Sequence, residues 1–217
     1  MIKIQSLNKA YGSKQILTNI NLHFNKGDIN GIVGENGAGK TTLFKCISGL
    51  ESFDGNIEFD NGILKNVTGF LTTDPYFLTK ITGKEYLQLF CNARNVTITD
   101  FEEKNIFDLP LNQYADTYST GMKKKLALTA ILLQKNEVFI LDEPFNGVDI
   151  QSNIVIKEIV YRSSFIVSGP ENFIKKNYLI IQDHFKLYEE NQKDKSDLNF
   201  LKLKTYLIKL LLSKIIS

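Results

Sequence analysis

Apolar and polar residues alternate along the first part of the chain and then fall into a helical period. Ile2 to Leu7, Ile20 to Phe24 and Ile29 to Val33 read as short strands, the last a mostly apolar run expected to be a buried parallel strand. Turn signals at Tyr11-Gly12-Ser13 and Asn25-Lys26-Gly27-Asp28 separate them. Asp54-Gly55-Asn56 and Asp60-Asn61-Gly62 bracket a further strand, Ile57 to Phe59, and Val67 to Leu71 reads as one entering the core. From about Asp74 to Leu133 the spacing of Glu85, Tyr86, Leu87, Leu89 and Phe90, and later of Leu126, Leu128, Ile131 and Leu132, suits amphipathic helices, with breaks at Asn95 to Thr99 and at Leu109-Pro110. This block is predicted to be a mostly helical lobe inserted in an α/β core.

Beyond it Val138 to Leu141 is again apolar and β-prone. A helix from Ser152 to about Tyr161, a strand Phe165 to Val167 and a hairpin Leu179 to Tyr188 follow. Residues 1–188 are thus expected to form one α/β domain with a mostly parallel sheet and an antiparallel β edge at its N-terminus. Composition then changes: 189–197 is charged and polar, a linker, and 198–217 is a basic, leucine-rich helix. Lys202, Thr205, Lys209 and Ser213 form one stripe of that helix, so it either packs on the domain or a partner subunit or lies on an anionic membrane surface.

A chain of 217 residues is long enough for one well-buried domain or a core with a smaller lobe. Its net charge of +2 supplies no basic field, so nucleic acid is not expected as a partner, and Lys123-Lys124-Lys125 reads as a solvated face. Cys46 and Cys91 lie far apart with no CxxC and no histidine cluster, which points to buried thiols rather than a zinc site or disulfide framework. No leader is read at the N-terminus, and no segment reaches the run of about 18 apolar residues that a spanning helix needs. The expected location is cytoplasmic, with any membrane work done through another chain.

The chemistry concentrates in Gly34-Glu35-Asn36-Gly37-Ala38-Gly39-Lys40-Thr41-Thr42. Glycines at this spacing let the backbone curl so that successive N–H groups face one anion. Lys40 brings a compact charge to the outer phosphates, Thr41 offers a hydroxyl to Mg²⁺, and Thr42 is expected to open a helix whose dipole favours negative charge. The motif sits between a strand and a helix, the context of a P-loop NTPase core, so ATP and Mg²⁺ are the expected ligands. Asp142 and Glu143 follow an apolar strand, where open α/β sheets carry their ligands. One carboxylate can hold Mg²⁺ while the other polarises an attacking water, so Asp142 is the candidate metal residue and Glu143 the candidate catalytic one.

With these residues in place the chain resembles the nucleotide-binding domain of an ATP-binding cassette (ABC) transporter over roughly residues 1–188. Tyr118-Ser119-Thr120-Gly121-Met122 resembles the family's signature loop. The resemblance implies that Ser119, Thr120, Gly121 and Met122 meet the γ-phosphate held by a second subunit, closing ATP in a head-to-tail dimer, homomeric or heteromeric. It implies that Tyr11 stacks on adenine and that Asn146-Gly147-Val148-Asp149 touches the partner. It also implies a separately encoded transmembrane permease, docked near Asp74 to Leu78. Gly83-Lys84-Glu85-Tyr86-Leu87 and the form of the signature look more like the two-component exporter branch.

Two departures bear on catalysis. Thr73 stands where the family usually has a glutamine ligand to Mg²⁺, and its shorter side chain is expected to reach only through water. The family's switch histidine should follow Phe165 to Val167, yet Ser168-Gly169-Pro170 has none, and His23 and His184 read as packed or solvated imidazoles. ATP binding with slow hydrolysis is therefore expected. The leading function is the ATP-binding subunit of a transporter. A degenerate cassette serving as a structural or regulatory partner is the alternative, and a soluble non-transport ATPase is disfavoured, because such relatives carry two cassettes or long insertions.

Overall fold

The computed structural model describes residues 1–160 and 164–168. The expected hairpin at 179–188, the linker at 189–197 and the helix at 198–217 lie outside the described residues, as do Gly169 and Pro170.

In the first strand, β1 (Ile2–Tyr11), Ile2 and Ile4 are buried, and then the phase flips so that Leu7 and Lys9 are buried instead. Ser6 explains the flip. It lies at φ 48, and pairing breaks register there against both β2 (Lys14–Phe24) and β4 (Asp54–Phe59). A bulge inserts one residue and turns the following side chains over. Asparagines repair the interrupted ladder: Asn21 Oδ1 accepts the Ser6 N–H at 2.9 Å, and Asn8 Oδ1 accepts the Asn19 N–H at 2.8 Å. Gly55 lets β4 close over the bulge, since a Cβ there would lie 2.5 Å from the Ser6 carbonyl oxygen at a φ of +113. The result is an antiparallel sheet in the order β2-β1-β4, with a first strand running past the expected end at Leu7 to Tyr11.

The second sheet is parallel. It contains β3 (Ile29–Ile32), β5 (Thr68–Leu71), β6 (Val138–Leu141) and β7 (Ser164–Ser168) in the order β3-β7-β6-β5. All four residues of β6 are buried, because both faces of the sheet are covered. Val138 and Ile140 face a core built with the antiparallel sheet and α1 (Lys40–Ile47), where Phe44 is fully buried. Phe139 and Leu141 face the other core, with α2 (Gly83–Asn92) and α3 (Thr120–Leu133). Each such fully buried large side chain contributes about 1.5–3 kcal/mol by leaving water. β3 is parallel as expected but not buried. It is the outermost strand of the described sheet, with Ile29 and the following Val33 exposed.

The block from 74 to 133 is less helical than its periodicity suggests. Its regular helices are α2, α3 and a short 3-10 turn at Ala115–Thr117, and much of the remainder is turn and extended chain. α2 begins at a capping box, in which the Thr82 hydroxyl accepts the Glu85 N–H at 3.2 Å and Glu85 Oε2 accepts the Thr82 N–H at 2.8 Å. α3 is not amphipathic. It is buried round most of its circumference, from Lys124 and Leu126 through Leu128, Thr129 and Ile131, because it packs on both α2 and β5. The last helix among the described residues, α4, runs Ile150–Val160, two residues earlier at its start than expected. Among the described residues no helix is long and apolar enough to cross a membrane.

Candidate functional site

The phosphate loop leaves the end of β3 and turns into α1 through two left-handed glycines, Gly37 at φ 85 and Gly39 at φ 93. Gly39 has a second reason to be glycine: a Cβ would lie 2.9 Å from Leu17 Cδ2 and 3.1 Å from Ile16 Cγ2. The helix starts at Lys40, two residues before the expected Thr42, so Gly39 is its N-cap and no side chain claims the first N–H groups. The Lys40 ammonium donates to the carbonyls of Gly34 at 2.7 Å and Glu35 at 2.9 Å, arched over the loop where a phosphate oxygen would compete for it. Glu35, Asn36, Gly37 and Ala38 are exposed, leaving the rim of the loop open to a ligand.

Asp142 forms the other half of the site. It is 1% exposed and accepts three hydroxyl hydrogen bonds. Thr41 Oγ1 donates to Oδ2 at 2.6 Å, Thr73 Oγ1 donates to the same oxygen at 3.0 Å, and Ser168 Oγ donates to Oδ1 at 2.5 Å. Thr73 is thus tied directly to Asp142, on the same carboxylate oxygen as Thr41. A carboxylate ringed by hydroxyls is an oxygen-only donor set, the chemistry that Mg²⁺ takes. The residues present fit that ion.

Glu143 beside it adopts φ 52, a left-handed conformation that costs a non-glycine residue about 1–3 kcal/mol and persists only where neighbours enforce it. Two neighbours do. The Glu143 N–H donates to Ser168 Oγ at 3.1 Å, and Lys124 Nζ donates to the Glu143 carbonyl at 2.9 Å. Asn146 Nδ2 donates to its Oε2 at 3.4 Å.

Both clamping residues escaped the sequence reading. Lys124 was expected on a solvated face but is 3% exposed. Burial lowers its pKa, while the carboxylates of Glu143, Asp74 and Asp142 pull it back up. Its place on the buried stripe with Leu128 and Ile131 was the available signal. Ser168 was noted only for the histidine that does not follow it. The parallel register Leu141↔Val167 sets the next residues, Asp142 and Ser168, side by side.

The remaining candidates stand apart from this cluster. Tyr11 is 45% exposed at the end of β1, with Lys9 Nζ 4.9 Å from its ring centroid. Lys9 is itself fixed by Glu51 at 3.1 Å and the Ser52 carbonyl at 2.6 Å, so a cation anchors Tyr11 beside an accessible ring. Ser119 caps α3, its Oγ accepting the Met122 N–H at 3.2 Å, and both Ser119 and Thr120 are exposed. Gly121 packs on the loop after β6: a Cβ there would lie 2.5 Å from the Gly147 carbonyl oxygen. Asp149 is engaged within the chain. It accepts the Ser152 N–H and hydroxyl, each at 2.8 Å, and pairs with Lys125 at 3.1 Å, and the Ser152 N–H above all holds its carboxyl well below the usual range. His23 is exposed against Asn25, and Cys46 and Cys91 are buried free thiols, as expected.

A parallel α/β sheet with a glycine-hinged loop entering a helix, and an acidic strand end facing the loop's threonine, defines a P-loop protein of the nucleoside triphosphate-binding class. Residues 17–146 match the family model described as ABC transporter, and the chain belongs to that family. It is 35% identical over 162 residues to the bacitracin transport ATP-binding protein BcrA of Enterococcus faecalis, an alignment covering 69% of this chain and 52% of that protein. It is 30% identical over 197 residues to the lantibiotic transport ATP-binding protein SrtF of Streptococcus pyogenes, covering 85% of this chain and 83% of the relative. A putative ABC transporter ATP-binding protein from Pyrococcus furiosus superposes with a TM-score of 0.68 at 28% identity, covering 78% of this chain and 91% of that one. The chain thus spans about half the length of BcrA and most of SrtF.

Proposed function

We propose that this chain is the ATP-binding and ATP-hydrolysing subunit of an ABC transporter, with residues 1–188 as the cassette, coupling MgATP binding to movement in a separate membrane subunit on the cytoplasmic side. The observation that carries the reading is the meeting of Thr41, Thr73 and Ser168 on Asp142, with Glu143 held in a strained conformation beside it. Gly34 to Thr42 bind the phosphates, Lys40 giving up its loop carbonyls for phosphate oxygens, and Tyr11 stacks on the base. Thr41, Asp142 and Thr73 would hold Mg²⁺, which would supply charge neutralisation at the phosphates. Glu143 orients the attacking water and accepts its proton.

Exposure of Ser119 and Thr120 at the N-terminus of α3 supports the closing of a second subunit's nucleotide by Ser119 to Met122 in a head-to-tail dimer. Exposed Tyr76 and Leu78 flank Phe77, which stacks on Tyr86 at 4.4 Å, and this rigidly backed apolar edge supports docking of a permease. Hydrolysis is slow, because Ser168-Gly169-Pro170, directly at the end of β7, supplies no histidine to contact the γ-phosphate. Bacitracin and a lantibiotic, named in two relatives, are the first cargoes to try.

Turnover of MgATP by the full chain, compared with Glu143→Gln, tests the reading. The native rate should lie at least about tenfold above the variant, with nucleotide affinity unchanged. Equal rates would refute hydrolysis at Glu143. Tagged chain purified from membranes should bring a polytopic protein with it, and recovery without one would refute the transporter assignment.

A further inference from the structure

Lys124 is the one buried side chain of the Lys123 to Lys125 run, 3% exposed in the second turn of α3. A buried ammonium is rare without a partner, because leaving water penalises the charge. Among the described residues no carboxylate lies at ion-pair distance from it, although those of Asp74, Asp142 and Glu143 act on it through the field. Its hydrogen bond goes instead to the main-chain carbonyl of Glu143, at 2.9 Å. That residue's backbone would relax out of the left-handed region if released.

The same helix touches this loop twice more. Gly121 packs on the Gly147 carbonyl, and Lys125 pairs with Asp149 at 3.1 Å. α3 therefore carries two sets of groups on its first two turns: exposed Ser119 and Thr120 at its tip, and inward contacts that set the course of residues 143–149.

We propose that Lys124 is a positioning residue for Glu143: its ammonium holds the Glu143 main chain in the left-handed conformation and ties that conformation to α3, so that contact at the Ser119 end of the helix is felt at the carboxylate. The proposal rests on the reading of Glu143 as the hydrolytic residue. Ser168 holds the N–H side of Glu143 from β7, and Lys124 holds the C=O side from α3. Loss of either clamp frees one end. Charge matters as well as reach, since a charged donor binds a carbonyl more firmly than a neutral one.

Lys124→Met keeps the length and apolar stem and removes the donor, while Lys124→Gln restores a neutral donor. In the full chain, Lys124→Met should lower kcat for MgATP about 10- to 100-fold with KM and nucleotide affinity nearly unchanged, the signature of a misplaced group rather than a lost binding contact. Lys124→Gln should recover part of the rate. Amide hydrogen exchange gives a second readout that needs no turnover: residues 142–149 should exchange about tenfold faster in Lys124→Met while α3 stays protected. Native exchange in that segment, or loss of protection throughout α3 together with nucleotide affinity, would overturn the proposal, the latter in favour of plain packing. Should the native chain hydrolyse ATP no faster than Glu143→Gln, the functional reading fails, and the exchange data still decide the role of Lys124.

Discussion

Deleting one oxygen at Ser168 should cost more than its size suggests. The hydroxyl donates to Asp142 Oδ1 at 2.5 Å and accepts the Glu143 N–H at 3.1 Å, and Ser168 and Asp142 are each 1% exposed, so water has little access to replace it. In Ser168→Ala the bond to a buried carboxylate is lost, worth about 1.5–3 kcal/mol. The Glu143 N–H also loses its acceptor, and because Glu143 is only partly buried that loss falls at the lower end of the range, about 1 kcal/mol. The volume removed is a single oxygen, so the packing contribution is small. The sum is about 2.5–4 kcal/mol. With a urea slope of about 2 kcal/mol/M, the midpoint should fall by roughly 1.2–2 M at constant slope. Ser168→Thr retains the hydroxyl and should lie much nearer to native. A cycle with Asp142→Ala assigns the effect: coupling should exceed about 1 kcal/mol, because each change removes the same bond. A midpoint loss worth less than about 0.5 kcal/mol, or coupling within about 0.3 kcal/mol of zero, would refute the argument that this hydroxyl holds the acidic pair.

Two further changes probe other parts of the frame. Helix propensity alone predicts that Gly121→Ala stabilises the chain by about 1 kcal/mol. The 2.5 Å approach of its Cβ to the Gly147 carbonyl predicts the opposite: α3 and the loop must part, and both the urea midpoint and turnover should fall. A stabilised Gly121→Ala would mean that the two backbones are not packed so closely. Glu85 is held below the ordinary carboxyl value of 4.5, first by the Thr82 N–H and then by the Thr82 hydroxyl. A carboxyl with a lowered folded pKa binds fewer protons in the folded than in the unfolded chain, so its stabilisation is full above 4.5 and lost as pH falls through the lowered value. The difference in unfolding midpoint between native and Glu85→Ala should therefore narrow between about pH 6 and about pH 3, and a constant gap would contradict the capping box.

What could be read in advance divides along the range over which each interaction acts. The phosphate loop is legible because its chemistry lies in contiguous backbone: Gly34, Gly39, Lys40 and Thr41 carry their geometry in their spacing, although α1 begins at Lys40, two residues before the expected Thr42. The pair Asp142-Glu143 is legible for a related reason, since carboxylates directly after a buried strand have few structural uses. By contrast, the length of β1 was hidden by a bulge at Ser6 that interrupts alternation, a feature imposed by two neighbouring strands at once. β3 was expected to be buried like β6, but it lies at the edge of the described sheet, and Asn30 and Gly31 interrupt its apolar run where β6 is apolar throughout. Lys124 was misplaced because residue type was allowed to outweigh periodicity: a lysine four residues before Leu128 on a buried helix shares its face. Ser168 could be found only through the register of two parallel strands distant in sequence. The candidate ligand-binding groups were thus visible as local motifs, while the groups that hold Glu143 in its strained position were visible only after the elements were assembled. This division follows from the physics: left-handed Glu143 is unfavourable by itself, so whatever stabilises it must come from beyond its own segment, here from α3 on one side and β7 on the other.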